Sequence, residues 1–261
     1  MALIKTTRGV FNVVADGPRD APVLMFSNSL GTTLEMWQAQ VKTLALNGRF
    51  NVIRYDTRGH GQSVITPGPY CVADLADDAL AILDALEIRQ VEFCGLSMGG
   101  MIALWLAIHA PARINRLVIA NSAPQIAPAA AWNDRIALVR REGMVSIAEG
   151  VTQRWFTADF ISRAPDTVNA IKRMIVDSPM EGYVSCCAAV RDFDVRKSMA
   201  GIKSSVMVIA GDADPATPPE LTRTISTAIA GSRFVSLPAA HLSNIECDSE
   251  FTRLLTDFLK R

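Results

Sequence analysis

A serine flanked by glycines, in the order Gly-Leu-Ser-Met-Gly-Gly at residues 95–100, is the feature of this chain best suited to nucleophilic chemistry. The apolar residues 91–94 before it predict a buried strand, and the small, apolar residues 101–108 after it predict a helix. A sharp turn from strand to helix brings the two backbones close together, and glycines fit there because they lack a Cβ. The pattern predicts Ser97 at the apex of the turn, beside the free N–H groups of a helix N-terminus, as a catalytic nucleophile.

A serine hydroxyl needs a base to react at neutral pH, and the usual base is a histidine held by a carboxylate. The chain has three histidines. His109 ends the predicted helix about 15 Å from Ser97, where the helix dipole favours it. His60 lies in a glycine-rich loop and is not expected to reach the site. His241 follows the last predicted strand, at the carboxyl edge of the sheet where ligands bind in such folds, so it is the predicted base.

The carboxylate that orients the histidine is expected at the same edge of the sheet. The strand predicted at 114–120 is followed by Asn121 and offers no acidic side chain, whereas the strand predicted at 205–211 is followed by Asp212 and Asp214. Spacing alone does not separate these two aspartates. The alternative role for either is to cap the loop before the next helix.

An alternation of strands and helices positions these residues. Apolar stretches predict strands at 9–14, 22–26, 51–55, 91–94, 114–120, 205–211 and 233–237. This alternation predicts an α/β fold with a mostly parallel, doubly wound sheet. From 124 to 196 it stops, and helical periodicity at 132–141, 144–155 and 165–177 predicts an inserted helical cap. We expect a first core segment at 1–123, the cap at 124–196 and a second core segment at 197–261.

The composition narrows the partners and the compartment. The 261 residues include 26 basic and 26 acidic side chains, which does not favour nucleic acid or an anionic membrane as a partner. No apolar stretch reaches the roughly 18 residues of a membrane-spanning helix, and the N-terminus lacks a signal peptide's apolar core. The five cysteines show no CxxC spacing, which argues against a disulfide framework and a zinc site. We expect a cytoplasmic protein with reduced thiols.

In these features the chain resembles the α/β-hydrolase superfamily over its whole length, cap included, with the expected order Ser, Asp, His. In that superfamily the motif G-x-x-D-x-x-T/V-P carries the acid of the catalytic triad, which implies Asp214 rather than Asp212. The resemblance also implies an oxyanion hole formed by the backbone N–H groups of Leu30 and Met98. Asn-Ser stands at 28–29 in place of the usual His-Gly, so the support of that loop departs from the family pattern.

Further strings narrow the resemblance to one family. They are Ser-Asn-Ser-Leu-Gly at 27–31, Tyr-Asp-Thr-Arg-Gly-His-Gly at 55–61, the serine turn at 95–100, Cys-Cys-Ala-Ala at 186–189 and Ala-Ala-His-Leu-Ser-Asn at 239–244. Together they are similar to the 3-oxoadipate enol-lactonases of the β-ketoadipate pathway of aromatic degradation. The similarity implies hydrolysis of 3-oxoadipate enol-lactone to 3-oxoadipate through an acyl-enzyme, with no metal or organic cofactor.

The implied substrate is a small lactone with a carboxylate, which needs a partner in a partly desolvated pocket. The cap offers Trp132, Arg135, Arg154 and Trp155 as substrate-binding candidates, and Arg135 shares a helix face with Trp132. A solvated surface side chain is the alternative role for each arginine.

Other activities of this fold use the same three residues. A serine esterase, a C–C bond hydrolase and a cofactor-free perhydrolase are the alternatives among enzymes. A hydrolase-like small-molecule receptor is the alternative from another class of protein. The sequence leaves the oligomeric state open.

Overall fold

The computed structural model describes residues 2–45, 47–126 and 128–260. Met1, Leu46, Ala127 and Arg261, which fall in the predicted core and cap segments, lie outside the described residues. The strands are β1 Ala2–Thr6, β2 Gly9–Asp16, β3 Val23–Ser27, β4 Asn51–Tyr55, β5 Val91–Leu96, β6 Ile114–Ala120, β7 Ser205–Gly211 and β8 Arg233–Leu237.

Together these strands form one sheet in the order β1-β2-β4-β3-β5-β6-β7-β8. β2 pairs antiparallel with β1 and β4, and all other neighbours are parallel. The predicted α/β class with a mostly parallel sheet is confirmed.

Helices flank this sheet and connect its parallel strands. They are α1 Gln38–Leu44, α2 Val72–Ala85, α3 Met98–His109, α4 Ala129–Glu142, α5 Val145–Trp155, α6 Ala158–Arg163, α7 Pro165–Val176, α8 Met180–Asp192, α9 Pro219–Ala228, α10 Ser243–Glu246 and α11 Asp248–Leu259. α3 packs on β5 and β6, α9 packs on β7, and α1 packs against α11. Every residue of β5 is buried, as expected of a strand covered on both faces. Among the described residues, the helices all fall short of the length and apolar character needed to cross a membrane.

Sequence patterning does not predict β1, which pairs antiparallel with β2 from Ala2 opposite Val13 to Thr6 opposite Gly9. The residues of β1 are exposed or half-buried along the whole strand, so it lacks the apolar run of a buried strand. β1 pairs with the edge that β2 leaves open, which is a tertiary condition that local sequence does not carry.

The helices α4–α8 lie between β6 and β7, in the segment predicted as a cap. α8 contacts the loop after β4 through two glycines. A Cβ on Gly59 would lie 2.5 Å from the Cα of Gly182, and Gly59 has a φ of +77°, so the position requires glycine. The N–H of Tyr70 also donates to the carbonyl of Ser185 in α8 at 3.3 Å. These contacts hold α8 against the core, while the exact segment boundaries stay a prediction.

Candidate active site

Ser97 lies between the end of β5 and the start of α3, with φ 58° and ψ −116°. Two glycines make this turn possible. A Cβ on Gly95 would lie 2.0 Å from the carbonyl oxygen of Gly99, and a Cβ on Gly99 would lie 2.1 Å from that of Ser27. Any larger residue at 95 or 99 would push the strand and helix apart. Ser97 is thus held in a left-handed conformation that a non-glycine residue adopts only where its surroundings impose it.

The structure brings His241 and Asp214 together. The imidazole Nδ1 lies 2.8 Å from Asp214 Oδ2, and the two residues are 2% and 3% exposed. Asp212, the other aspartate in the loop, is exposed. Because the carboxylate accepts from Nδ1, the ring carries its proton there, and Nε2 is left as the basic nitrogen.

Hydrogen bonds surround the Asp214 carboxylate on both oxygens. Besides His241, Oδ2 accepts from Thr217 Oγ1 at 2.7 Å and Asn121 Nδ2 at 3.0 Å. Oδ1 accepts from the backbone N–H groups of Ala216 and Thr217 at 2.8 and 3.0 Å. Burial by itself would raise the pKa of the Asp214 carboxyl, but His241 and these hydrogen bonds lower it to about 2. The group is therefore an ionised, fixed carboxylate at neutral pH.

Asn121, which sequence reasoning considered only as a missing carboxylate, joins this network. It follows β6 with a φ of 45°, a region that asparagine tolerates better than most residues. Besides Asp214, its Nδ2 donates to the carbonyl of Ala240 at 3.1 Å, and its Oδ1 accepts from Ser243 Oγ at 2.5 Å. A polar residue directly after a central strand was the available signal, and the partners of its side chain are 93 or more residues away in sequence.

Ser97 and His241 line the same cavity, whose volume is about 220 Å³. Among the hydrogen bonds of the described residues, none joins the Ser97 hydroxyl to the imidazole, which is bonded on its Nδ1 side. Catalytic hydrogen bonds of this kind often tighten only in the substrate complex. The indole of Trp155 lies beside the imidazole, with 6.0 Å between ring centroids.

The backbone N–H groups of Leu30 and Met98 flank this site. In the part of the chain that the structure describes, neither N–H group has an acceptor. The Leu30 loop is tied to α3 because the Gly99 N–H donates to the carbonyl of Asn28 at 2.9 Å. Two unengaged N–H groups on adjoining backbones suit the stabilisation of an oxyanion.

Asn28, the departure from the family pattern, is itself well anchored. Its Nδ2 donates to the carbonyl of Tyr55 at 2.7 Å, and its Oδ1 accepts from the Trp37 indole N–H at 2.9 Å. Asn28 is fully buried, so these bonds fix the loop that carries Leu30. The side chain thus supplies the support that the sequence left in question.

His60 supports the same loop from the other side, a role that sequence reasoning missed. Its Nε2 accepts the Gly31 N–H at 2.9 Å, while Nδ1 lies 3.3 Å from the carbonyl of Arg58. This pattern requires a neutral ring with its proton on Nδ1, and burial lowers the pKa of His60 accordingly. His109, in contrast, is exposed on α3 and stacks on Trp105, as expected for a helix end.

All four substrate-binding candidates line the cavity with Ser97 and His241: Trp132, Arg135, Arg154 and Trp155. Arg135 is half-buried, and its guanidinium carbon lies 5.0 Å from the centre of the Trp132 ring. Among the described residues, no acidic side chain pairs with either arginine or lines the cavity. Arg154 is exposed, and desolvation of its guanidinium and, after it, the positive charge of Arg135 lower its pKa. In the part of the chain that the structure describes, the cavity therefore holds the positive charge of two arginines without an acidic side chain to balance it.

Tyr183 of α8 also lines the cavity and was not expected there. Its ring is almost fully buried, and burial raises the pKa of its hydroxyl above the usual range. An aromatic residue within a helix is more often a core residue, so the sequence carried no distinguishing signal. Cys186 and Cys187, further along α8, are buried packing residues.

This chain is similar to known proteins over nearly its whole length. A family model of the α/β hydrolase fold matches residues 22–247. The chain is 42% identical over 250 residues to 3-oxoadipate enol-lactonase 2 of Acinetobacter baylyi, which covers 96% of this chain and 93% of that protein. It is 39% identical to 3-oxoadipate enol-lactonase 1 of the same bacterium, over 95% of this chain and 92% of that protein.

Solved structures agree with these matches. The crystal structure of the enol-lactonase from Burkholderia xenovorans LB400 has a TM-score of 0.97 at 41% identity and covers 100% of both chains. A thermophilic esterase from Thermogutta terrifontis, with malate bound, has a TM-score of 0.91 at 27% identity over 99% of this chain and 97% of that one. Both similarities extend through the helices between β6 and β7, since the coverage is nearly complete.

Proposed function

The chain belongs to the α/β-hydrolase family and is an ester-hydrolysing enzyme, and from this premise we propose that its substrate is 3-oxoadipate enol-lactone. One observation carries the proposal: Ser97 and His241 share a cavity with two arginines that have no protein counter-ion among the described residues. A neutral ester needs only the first pair of residues. A lactone with a carboxylate arm uses that pair for catalysis and the two arginines for binding its carboxylate.

The reaction begins with attack of Ser97 Oγ on the ring carbonyl, while His241 Nε2 takes the hydroxyl proton. The Asp214 carboxylate holds the ring in the correct tautomer and stabilises the imidazolium that forms. The N–H groups of Leu30 and Met98 bind the oxyanion of the tetrahedral intermediate. Removing one such donor in other hydrolases costs about 3 kcal/mol of transition-state stabilisation.

Collapse of the intermediate breaks the bond to the ring oxygen and leaves Ser97 acylated. The leaving group is an enolate, which the His241 imidazolium protonates to an enol, and the enol tautomerises to a ketone. The ketone is a poor nucleophile, so ring closure does not compete with the next step. His241 then activates a water molecule that attacks the acyl-enzyme and releases the dicarboxylate product.

Recognition of the carboxylate arm is the role that we assign to the cap segment 124–196. A carboxylate loses hydration when it enters a partly buried cavity, and charge-assisted hydrogen bonds to a guanidinium offset that cost. Arg135 and Arg154 supply the positive charge, and the indoles of Trp132 and Trp155 supply apolar walls. A cavity of about 220 Å³ suits a small ring with one arm.

Steady-state hydrolysis of the enol-lactone, followed by loss of its ultraviolet absorbance, tests the proposal. We expect saturable turnover that Ser97→Ala abolishes, and a kcat/KM well above that for 4-nitrophenyl acetate, which lacks the carboxylate. Turnover of the neutral ester with none of the lactone would refute the substrate assignment. It would favour the second candidate, a serine esterase, which the similarity to the Thermogutta terrifontis esterase supports.

A further inference from the structure

The backbone of Ala240, the residue before His241, is held at both its N–H and its carbonyl. The N–H of Ala240 donates to Glu246 Oε2 at 2.9 Å. The carbonyl of Ala240 accepts from Asn121 Nδ2 at 3.1 Å. Ala240 and His241 lie in the loop between β8 and α10, outside any helix or strand, so side chains rather than a backbone ladder fix their position.

Glu246 binds the cap with the same carboxylate. Both of its oxygens lie 3.3 Å from the backbone nitrogen of Thr157, and Oε1 also accepts a short hydrogen bond from the Thr157 hydroxyl. Thr157 is the N-cap of α6, where its Oγ1 accepts from the Phe160 N–H at 3.2 Å. One carboxylate thus joins the loop that carries His241 to the start of a cap helix.

The environment of the Glu246 carboxylate indicates that it links the His241 loop to the cap by hydrogen bonds rather than through an ion pair. Glu246 is only 7% exposed. In the described ranges of the chain, its carboxylate forms no salt bridge with a lysine or arginine. Among the described residues, the hydrogen bonds to its carboxylate come from N–H and O–H groups of the loop and the cap, while Arg163 donates to its backbone carbonyl at 3.5 Å. A buried carboxylate bonded in this way is costly to disturb on either side.

A second contact joins the same two segments on the other side of His241. The N–H of Leu242 donates to the carbonyl of Trp155 at 3.1 Å. The indole of Trp155 is the ring that lies 6.0 Å from the imidazole of His241. The residues before and after His241 are therefore both fastened to the cap segment 155–157.

We propose that Glu246 is a positioning residue, which holds the His241 loop against the cap so that the imidazole stays in reach of Ser97. The inference rests on the proposed role of His241 as the base. If the bridge is broken, the Ala240 and Thr157 donors lose their shared acceptor, and the loop that carries His241 is free to shift. A displacement of about 1 Å at a reacting group can cost roughly a hundredfold in rate. The cap then serves the chemical step as well as substrate binding.

Glu246→Gln tests the bridge with little change in volume. The amide is uncharged and has one acceptor oxygen, so the hydrogen bonds from Ala240 and Thr157 lose their charge assistance. Its NH₂ group has to face either the Ala240 N–H, where that bond is lost, or the Thr157 hydroxyl, which must then turn to accept from it. We expect kcat per folded molecule to fall at least about tenfold on both the enol-lactone and 4-nitrophenyl acetate, with KM changed less than about threefold. Glu246→Asp, which keeps both oxygens, should recover part of the loss.

Glu92→Gln is the matched control for removal of a buried carboxylate. Glu92 lies near the start of β5, at the end of the strand away from Ser97, and bonds Asn115 and Arg116. We expect it to lower Tm and leave kcat per folded molecule unchanged, with the folded fraction measured by circular dichroism. If Glu246→Gln does not fold, Thr157→Ala tests the bridge from the cap side.

A fall in kcat smaller than tenfold in Glu246→Gln, an equal fall in Glu92→Gln, or an effect confined to KM for the lactone would overturn the inference. These outcomes are distinct from failure of the proposed function. If the wild-type chain hydrolyses only the neutral ester, the substrate proposal fails, and the ester still measures the effect of Glu246→Gln. If His241→Ala keeps full activity, the role of His241 as the base fails, and the positioning role of Glu246 falls with it.

Discussion

Replacing Arg135 with glutamine removes the half-buried positive charge beside Trp132 and leaves a shorter, uncharged polar side chain. A hydrogen bond to a charged partner contributes about 1.5–3 kcal/mol. Arg154 lines the same cavity and retains part of the attraction for a carboxylate, so we expect a loss near the middle of this range. A loss of about 2 kcal/mol corresponds to roughly a 30-fold fall in kcat/KM for the enol-lactone.

The assay compares two substrates on one variant. Binding of the carboxylate arm is expected to act equally on the ground state and the transition state, so the effect of Arg135→Gln should lie in KM rather than kcat. Hydrolysis of 4-nitrophenyl acetate, which has no carboxylate, should change less than about twofold. Arg140→Gln is the control, because Arg140 is an exposed arginine of the same helix that does not line the cavity. Equal effects of Arg135→Gln on both substrates, or no effect on the lactone, would refute the role of Arg135.

Further predictions concern the triad and the docking of the cap. Ser97→Ala should lower turnover at least about a thousandfold and abolish labelling by a fluorophosphonate, as read by mass spectrometry. Asp214→Asn should lower kcat by roughly 10³–10⁴ because the imidazole loses its tautomer and orientation. The same variant should differ from the wild type in the pH dependence of unfolding, measured by urea denaturation. Gly59→Ala should lower the free energy of unfolding by about 1–3 kcal/mol through its clash with Gly182, whereas Gly201→Ala, with no atom within 4 Å of the added Cβ, should have little effect in the same assay.

The sign of the pH effect follows from the depressed pKa of Asp214. The folded pKa is about 2 against an ordinary value of 3.8, so the ionised carboxylate stabilises the folded state above about pH 4. This contribution, on the order of 2 kcal/mol, is lost as the pH falls from about 4 to about 2. In Asp214→Asn the free energy of unfolding should therefore fall by about 2 kcal/mol less than in the wild type between about pH 4 and about pH 2. An identical pH dependence for both proteins would contradict the assigned pKa.

Steady-state turnover of the lactone separates an enzyme from a receptor of the same fold, whereas labelling of Ser97 alone does not. A slow-turnover receptor could still react with a fluorophosphonate, so labelling has to be joined with steady-state turnover of the lactone. Loss of labelling without loss of turnover in Ser97→Ala would show that another group is the nucleophile.

Much of this protein follows from its sequence because strand burial and the serine turn are local features. A continuous apolar run after Ser205 predicts β7 at residues 205–211 with the bounds that the structure has, since a strand covered on both faces needs such a run. The glycines around Ser97 predict its turn because backbone crowding there excludes a Cβ. His241 could be predicted by elimination, since parallel strands present their carboxyl ends at one edge of the sheet.

Only the tertiary structure shows how the site residues are held, because their hydrogen bonds join segments that lie far apart in the sequence. Spacing does not separate Asp212 from Asp214; the family motif implies Asp214, and the structure shows that the turn after β7 brings its carboxylate to the imidazole. Asn121, His60 and Glu246 carry ordinary local signals, and their roles arise from partners that the fold brings to them. The sequence by itself determined which groups could do the chemistry. The packing of the loops and the cap around them decided how those groups are held, since a hydrogen bond between distant segments exists only once both are in place.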